Sequence, residues 1–225
     1  MSRYFLTLIL FACFLRVNAQ EVSKDSSVVR ASKDLGLYVG GAYSLNQLKA
    51  SAYTIGEFEG VPDLKNSPGI LAGFCYNLYA GKRLIVRPAV EAVFMPTAIS
   101  YQTEIDYSRD QRVFPVTVEM PLSFILSSFR TKAFPRPKAK PEVGLSLRPV
   151  LTIKALNDLQ PALKTYNFQS DIFVGYPFSN DKTVTRVELF YSHGWMNLIG
   201  EGTDYRTASI QRLYRSAVGI RAIFH

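Results

Sequence analysis

Eight stretches of the chain alternate apolar and polar residues with a period of two, which is the spacing of a β-strand. We predict strands at 35–43, 69–79, 84–94, 114–127, 138–147, 166–176, 183–192 and 213–225. In the last of them, Val218, Ile220, Ala222 and Phe224 share an apolar face, and Ala217, Gly219 and Arg221 share the other. Pro88 lies inside the third strand and predicts a bulge or distorted pairing there, because proline cannot donate to a ladder. The pattern indicates an all-β protein.

The links between these strands are in turn long, short, long, intermediate, long, short and long. An antiparallel membrane barrel has this layout, with short turns and both termini at one end and long loops at the other. A soluble β-barrel or sandwich has no reason to keep the alternation. We therefore predict an eight-stranded antiparallel transmembrane β-barrel. Aromatic residues near predicted strand ends are expected at the two membrane interfaces: Tyr43, Tyr79, Phe94, Tyr176, Tyr191 and Trp195.

The first nineteen residues have the pattern of a cleavable signal peptide. Arg3 precedes an apolar run that is too short to span a bilayer, and Val17-Asn18-Ala19 fits a small-residue cleavage site. A lipoprotein signal around Cys13 is the alternative, although Phe11 is bulky for a lipobox. The predicted organisation is a signal peptide at 1–19, a flexible polar leader at 20–34 and a barrel domain at 35–225.

Charge and cysteine content narrow the function classes. The formal charge of +8 falls to +6 when Arg3 and Arg16 leave with the signal peptide. Export argues against nucleic acid as the partner of this positive charge, and anionic lipid headgroups or an acidic protein surface fit it better. Cys75 is the only cysteine of the expected mature chain, which excludes an internal disulfide and a CxxC redox or zinc site. No cofactor is expected.

If the apolar faces meet lipid, the other faces place charged residues in the lumen. The predicted cations are Arg87, Lys138, Lys140, Arg186 and Arg221, and the predicted carboxylates are Glu91, Glu119, Glu142, Asp171 and Glu188. An eight-stranded barrel has room inside for side chains and little else, so these charges should pair with one another. This expectation argues against a porin.

Catalytic and metal sites have little support in the sequence. Ser192 and His193 near the end of the seventh strand, with Glu188, are the residues that a lipid hydrolase or acyltransferase could use. A rim or loop histidine explains His193 more simply, and we expect no enzyme activity. No group of His, Cys and carboxylates has metal-ligand spacing, so no metal is expected.

Several short motifs occur along the chain: Val118-Glu-Met-Pro-Leu122, Arg136-Pro137, the segment Val187-Glu-Leu-Phe-Tyr-Ser-His-Gly-Trp-Met-Asn-Leu198 and the basic-aromatic final strand. Together they resemble the PorT-like outer-membrane β-barrel family of Bacteroidota. Trp195, Lys138 and Lys140 depart from the family pattern, which is more aliphatic or aromatic at these positions.

The resemblance implies a non-enzymatic protein of the bacterial outer membrane, and for a true PorT counterpart an accessory component of type IX protein secretion. Both termini would then be periplasmic, and the partners would be outer-membrane lipids, lipopolysaccharide, the assembly machinery and secretion components. Apart from the resemblance, the closing strand with its penultimate aromatic is typical of outer-membrane barrels and predicts a C-terminal assembly signal that includes Gly219, Ala222 and Phe224. A lipid-modifying enzyme and a passive barrel for envelope integrity or adhesion are the alternatives.

Overall fold

The computed structural model describes residues 34–55, 58–80, 84–101, 109–113, 116–126, 141–153, 163–179, 184–201 and 205–225. The predicted signal peptide, nearly all of the predicted leader, and the residues Lys138 and Lys140 lie outside these ranges. No helix of the described part is long and apolar enough to cross a membrane.

The described residues form sixteen strands and one helical turn. The strands are β1 (Asp34–Ser44), β2 (Gln47–Ala50), β3 (Tyr53–Ile55), β4 (Phe58–Gly60), β5 (Asp63–Lys65), β6 (Pro68–Ala80), β7 (Leu84–Phe94), β8 (Thr97–Tyr101), β9 (Arg109–Val113), β10 (Val116–Glu119), β11 (Leu122–Leu126), β12 (Glu142–Ile153), β13 (Tyr166–Ser179), β14 (Val184–Gly194), β15 (Ile210–Tyr214) and β16 (Ser216–Phe224). The helical turn, α1, spans Tyr205–Ala208.

One antiparallel sheet closes on itself and forms an eight-stranded barrel. Its wall strands follow one another in chain order: β1, β6, β7, the pair β10 and β11, β12, β13, β14 and β16. The closing contact joins β16 to β1, with Phe224 opposite Leu37 and Ala217 opposite Ser44. Every other neighbour is also antiparallel. The predicted eight-stranded antiparallel barrel is confirmed.

The outer face of the barrel is apolar around its whole circumference. Large exposed apolar side chains come from every wall strand, among them Leu35, Leu37, Val39, Ile70, Phe74, Val90, Phe124, Leu126, Val143, Leu145, Ile172, Val174, Leu189 and Ile220. A contiguous apolar surface of this extent is unfavourable in water and favourable against lipid. Wall strands of nine to fourteen residues are also long enough to span the hydrocarbon layer. The fold is therefore compatible with an outer-membrane barrel.

Three prolines occur in neighbouring wall strands without shifting the register. Met120 and Pro121 separate β10 from β11, yet the pairing with β7 resumes beyond them in the same register, from Glu119 opposite Glu91 to Leu122 opposite Pro88. The Pro121 carbonyl accepts a bond from the Ala89 N–H, and the Pro149 carbonyl accepts one from Met120. Pairing of β7 with β6 lapses next to Pro88 and then continues in register. The pairing at Pro88 is thus interrupted, as predicted, but there is no bulge.

Most strand boundaries differ from the sequence prediction by one to three residues, and two differ in a way that matters for the lumen. The fifth wall strand extends to Ile153 instead of ending at residue 147, because Pro149 faces outward and lacks only one ladder bond. The last predicted strand is divided at Arg215, where β15 ends and β16 begins. At this break the carbonyl of Arg215 still accepts a bond from Gly194, while the Arg215 side chain is buried in the lumen.

The long links form a second layer beyond one end of the barrel, which we call the cap. It contains the two-stranded sheet β2–β15, the hairpin β3–β4 and the three-stranded sheet β5–β8–β9. Its core consists of Ile99, Tyr101, Leu198, Ile210 and Leu213. The alternation pattern alone predicts these segments as links between wall strands and does not predict their sheets. No single link carries enough apolar residues to form a core, so only their packing against one another makes them regular.

Candidate functional site

The lumen holds a network of buried charges. Of the predicted lumen residues, the structure places Arg87, Glu91, Glu119, Glu142, Asp171, Arg186, Glu188 and Arg221 inside the barrel, all buried. Lys138 and Lys140 lie outside the described residues. Two buried arginines that we did not predict, Arg148 and Arg215, join the network.

The first group of charges is organised around Arg148. Register places Glu91 directly opposite Glu119 on neighbouring strands, and like charges in this position repel each other. The Arg148 guanidinium, from β12, contacts both carboxylates, with Nη1 2.5 Å from Oε2 of Glu119. Its Nε donates to Oδ2 of Asp171 at 3.0 Å. One cation thus holds three carboxylates from β7, β10 and β13 together.

Arg215 supplies the second cation of this group. Its Nη1 lies 3.0 Å from Oε1 of Glu119 and 3.1 Å from the hydroxyl of Thr117, which itself donates to the same carboxylate oxygen at 2.8 Å. The hydroxyl of Tyr38, on β1, donates a hydrogen bond to Glu91. Two guanidinium groups and three carboxylates leave this group with one formal negative charge.

The second group has the opposite balance and centres on Glu188. Nη1 of Arg87 lies 2.6 Å from Oε1 of Glu188, and Nε of Arg221 lies 2.7 Å from its Oε2. The Arg221 guanidinium also faces the aromatic rings of Phe173 and Phe190, at 5.1 and 5.3 Å from their centroids. Cation–π contact of this kind compensates part of the hydration that a buried arginine loses.

A separate ion pair completes the network and leaves its net formal charge at zero. Nε of Arg186 lies 2.7 Å from Oε2 of Glu142. The first group carries one formal negative charge, the second one formal positive charge and this pair none, so the network is neutral as a whole. Neutrality of this kind is needed where water cannot solvate unpaired charges.

Arg148 and Arg215 could have been found by extending the alternation. Arg148 has the same parity as Glu142, Gly144 and Ser146 and therefore faces inward with them, but the predicted strand ends at residue 147, one residue before it. Arg215 has the parity of Arg221 in the last strand, and its inward direction is visible in the same way. What the sequence does not contain is the choice of partner for either arginine.

The chemistry available to this network is structural. Asp171 and Glu188 have no solvent-accessible surface, and Glu91 and Glu119 are 1% exposed, so water does not reach the centre of the described lumen. Side chains from all wall strands fill it, including Leu71, Phe173 and Phe190. No group of three or more His, Cys, Asp and Glu among the described residues could hold a metal ion. Cys75 is free and buried.

The three residues considered for acyl transfer do not come together. Ser192 faces the lumen, where its hydroxyl donates to Oε1 of Gln169 at 2.8 Å. His193, the next residue of the strand, faces outward, and its Nδ1 lies 3.1 Å from the Ser216 hydroxyl. The His193 ring packs between Tyr191 and Trp195 on the outer surface. Glu188 is engaged by two arginines.

The aromatic residues gather towards the two ends of the barrel, with one exception to our prediction. Tyr43, Phe94, Tyr191 and Trp195 lie exposed on the side of the long links, and Tyr176 with Phe178 lies on the side of the short links. Tyr79 was predicted for the same interface, but it packs against the core inside the barrel. Its position in the strand has the parity of Cys75 and Asn77, which also face inward.

The proposed assembly-signal residues divide between the two faces of β16. Phe224 is exposed on the outer face and pairs with Leu37 of β1 and Thr185 of β14. Ala222 has the same parity as Phe224 and lies opposite Val39. Gly219 lies opposite Phe190, and a Cβ there would be 2.6 Å from that ring. Gly219 therefore makes room for a lumen aromatic.

We expect Phe224→Ala to impair insertion into the membrane more than His193→Ala does. Phe224 is the last apolar side chain of the closing strand, whereas His193 lies in the wall and contributes one partly buried hydrogen bond. The measurement is the fraction of each variant in the outer-membrane fraction that migrates differently with and without heating. Equal insertion of the two variants would contradict the assignment of a recognition role to Phe224.

In comparisons with known proteins, no family model matches the sequence and no curated protein is significantly similar to it.

Proposed function

We propose that this protein is a non-enzymatic β-barrel of the bacterial outer membrane that belongs to the PorT-like family and acts as an accessory component of type IX protein secretion. The observation that carries the proposal is the filled lumen, in which the central charged side chains are inaccessible to water. Since such a barrel offers solutes no path through its described part, it acts through its surfaces. The motif resemblance selects secretion among the surface-mediated roles.

The proposed orientation follows from the lengths of the links. The cap is built from the long links and lies at the end of the barrel opposite residues 34 and 225. In membrane barrels the long loops are extracellular and the short turns are periplasmic. Both termini are then periplasmic, where the C-terminal residues including Phe224 meet the assembly machinery.

Deletion of the gene tests the secretory role. We expect proteins that carry type IX C-terminal signals to accumulate in the periplasm of the deletion strain and to reach the cell surface again when the wild-type gene is restored. The measurement is immunoblotting of periplasmic and surface fractions. An unrelated outer-membrane protein serves as the control, and its level should not change.

Two results would point elsewhere. Normal export in the deletion strain would refute the secretory role, and increased sensitivity to detergent in the same strain would favour a passive role in envelope integrity. A change in lipid A that also occurs with His193→Ala would favour a lipid-modifying enzyme instead.

A further inference from the structure

The sheet β2–β15 of the cap continues the barrel wall outward. β2 follows β1 and β15 precedes β16, and these are the two strands that close the barrel. The Leu45 N–H donates to the Ser216 carbonyl at 2.7 Å, which keeps these two segments of the chain paired between the wall and the cap. Leu48 and Leu213 face the cap core, so the alternate residues of both strands lie on the outer face.

This outer face carries two cations side by side. Lys49 lies directly opposite Arg212, and both side chains are exposed. Like charges opposite each other on one face of a sheet are destabilising. No ion pair to a carboxylate accompanies either residue in the described part of the chain. The pair therefore presents uncompensated positive charge, which suits an anion.

The position of the pair relative to the membrane specifies which anion. Gly194 and Arg215 are joined by a backbone hydrogen bond, and Trp195 and Tyr214 are their neighbours in the chain. Trp195 is 63% exposed, as expected of an aromatic residue at the membrane–water interface. Arg212 is two residues beyond Tyr214, about 7 Å along the strand. The polar layer on each side of a bilayer is about 5–8 Å thick. Lys49 and Arg212 thus lie at the depth of lipid headgroups.

We infer that Lys49 and Arg212 form a binding site for the phosphate groups of an outer-leaflet lipid, with Trp195 and Tyr214 resting on the apolar part of the same molecule. An arginine supplies a planar fork of donors to phosphate and a lysine supplies a point charge. The inference rests on the outward orientation of the cap given in the proposed function. It does not depend on secretion.

Native mass spectrometry of the purified protein tests the site. The probes are bis-phosphorylated lipid A and the same lipid after enzymatic removal of its phosphates. The variant is K49Q/R212Q, and K65Q is the control because Lys65 is an exposed cation on β5 of the same cap. Heat-modifiable migration on a gel shows that each variant folds.

We expect the wild type and K65Q to retain the phosphorylated lipid in preference to the dephosphorylated one. In K49Q/R212Q retention of the phosphorylated lipid should fall about tenfold or more, since each cation near an anionic surface contributes to binding. An unchanged preference in K49Q/R212Q, or no preference in the wild type, would overturn the inference. Displacement of the lipid by millimolar inorganic phosphate would assign the site to a soluble anion and also overturn it. Because the assay contains no secretion component, its failure leaves the deletion experiment unaffected.

Discussion

Arg148→Met is expected to destabilise the barrel more than any other single change in the lumen. The substitution keeps most of the side-chain volume but removes the cation that Glu91, Glu119 and Asp171 share. Removing one partner of a buried ion pair typically costs about 3–5 kcal/mol, because the remaining charges stay buried without compensation. If the free energy of unfolding falls by about 2 kcal/mol per molar urea, the urea concentration at the unfolding midpoint should be lower by roughly 2 M. Unfolding in urea, followed by tryptophan fluorescence and heat-modifiable migration, measures the change.

Arg212→Met is the matched control for this experiment. It also replaces an arginine by methionine, but Arg212 is exposed on the cap and has no buried partner among the residues that the structure describes. Its unfolding midpoint should stay close to that of the wild type. Adding Glu91→Gln and Glu119→Gln to Arg148→Met should recover part of the lost stability, since fewer carboxylates then lack a cation. Equal midpoints for Arg148→Met and Arg212→Met would show that the network does not stabilise the barrel.

Gly144→Ala is expected to have the second largest effect. Gly144 lies directly opposite Phe173, and a Cβ at this position would overlap the aromatic ring. The ring cannot move freely, because it packs against the Arg221 guanidinium in the filled lumen. Overpacking of this kind costs about 1–3 kcal/mol. The measurement is again the urea midpoint, which should fall by about 1 M for a urea dependence of about 2 kcal/mol per molar.

Gly41→Ala makes the same chemical change where there is space. The nearest heavy atom to a Cβ at Gly41 is the carbonyl oxygen of Gly69 at 3.8 Å, an ordinary van der Waals distance. Its midpoint should change little. Phe173→Leu combined with Gly144→Ala should cost less than the sum of the two single changes, because the smaller side chain relieves the overlap. Strict additivity would mean that the two residues do not collide.

The architecture combines a water-inaccessible lumen with a folded cap. The ion pairs Arg87–Glu188 and Arg148–Glu91 join β7 to β14 and β12 to β7, strands that are not neighbours in the wall. Such ion pairs fix which strands face each other across the lumen and the distance between them. The barrel is therefore suited to present surfaces of fixed geometry.

Much of the barrel was predictable because its signal is local. Alternation with a period of two identifies a strand and its two faces, and the predicted lumen residues of β7, Arg87 and Glu91, do face inward. The largest difference in a strand boundary lies next to a proline, where β12 continues to Ile153 beyond the predicted end at residue 147. Pro149 does not end β12, because an outward-facing proline removes one donor from the ladder and leaves the register unchanged.

The sequence predicts which charged residues lie in the lumen better than it predicts which of them form ion pairs. Parity identifies the residues that face inward, and eight of the predicted charges are indeed inside. Which carboxylate meets which arginine depends on the stagger between strands. Arg148 of β12 meets Glu91 of β7 across the intervening strand, at a separation of 57 residues in the chain. No local pattern contains that information.

The sequence by itself determined the all-β class, the eight wall strands, the lipid-facing and lumen-facing residues and the alternation of long and short links, since each depends on residues close together in the chain. Only the tertiary structure decided the partners of the buried charges and the folding of the long links into the cap. The cap core combines residues from separate long links, and none of these links could bury its apolar residues alone. Packing between distant segments is the physical reason for each of these features.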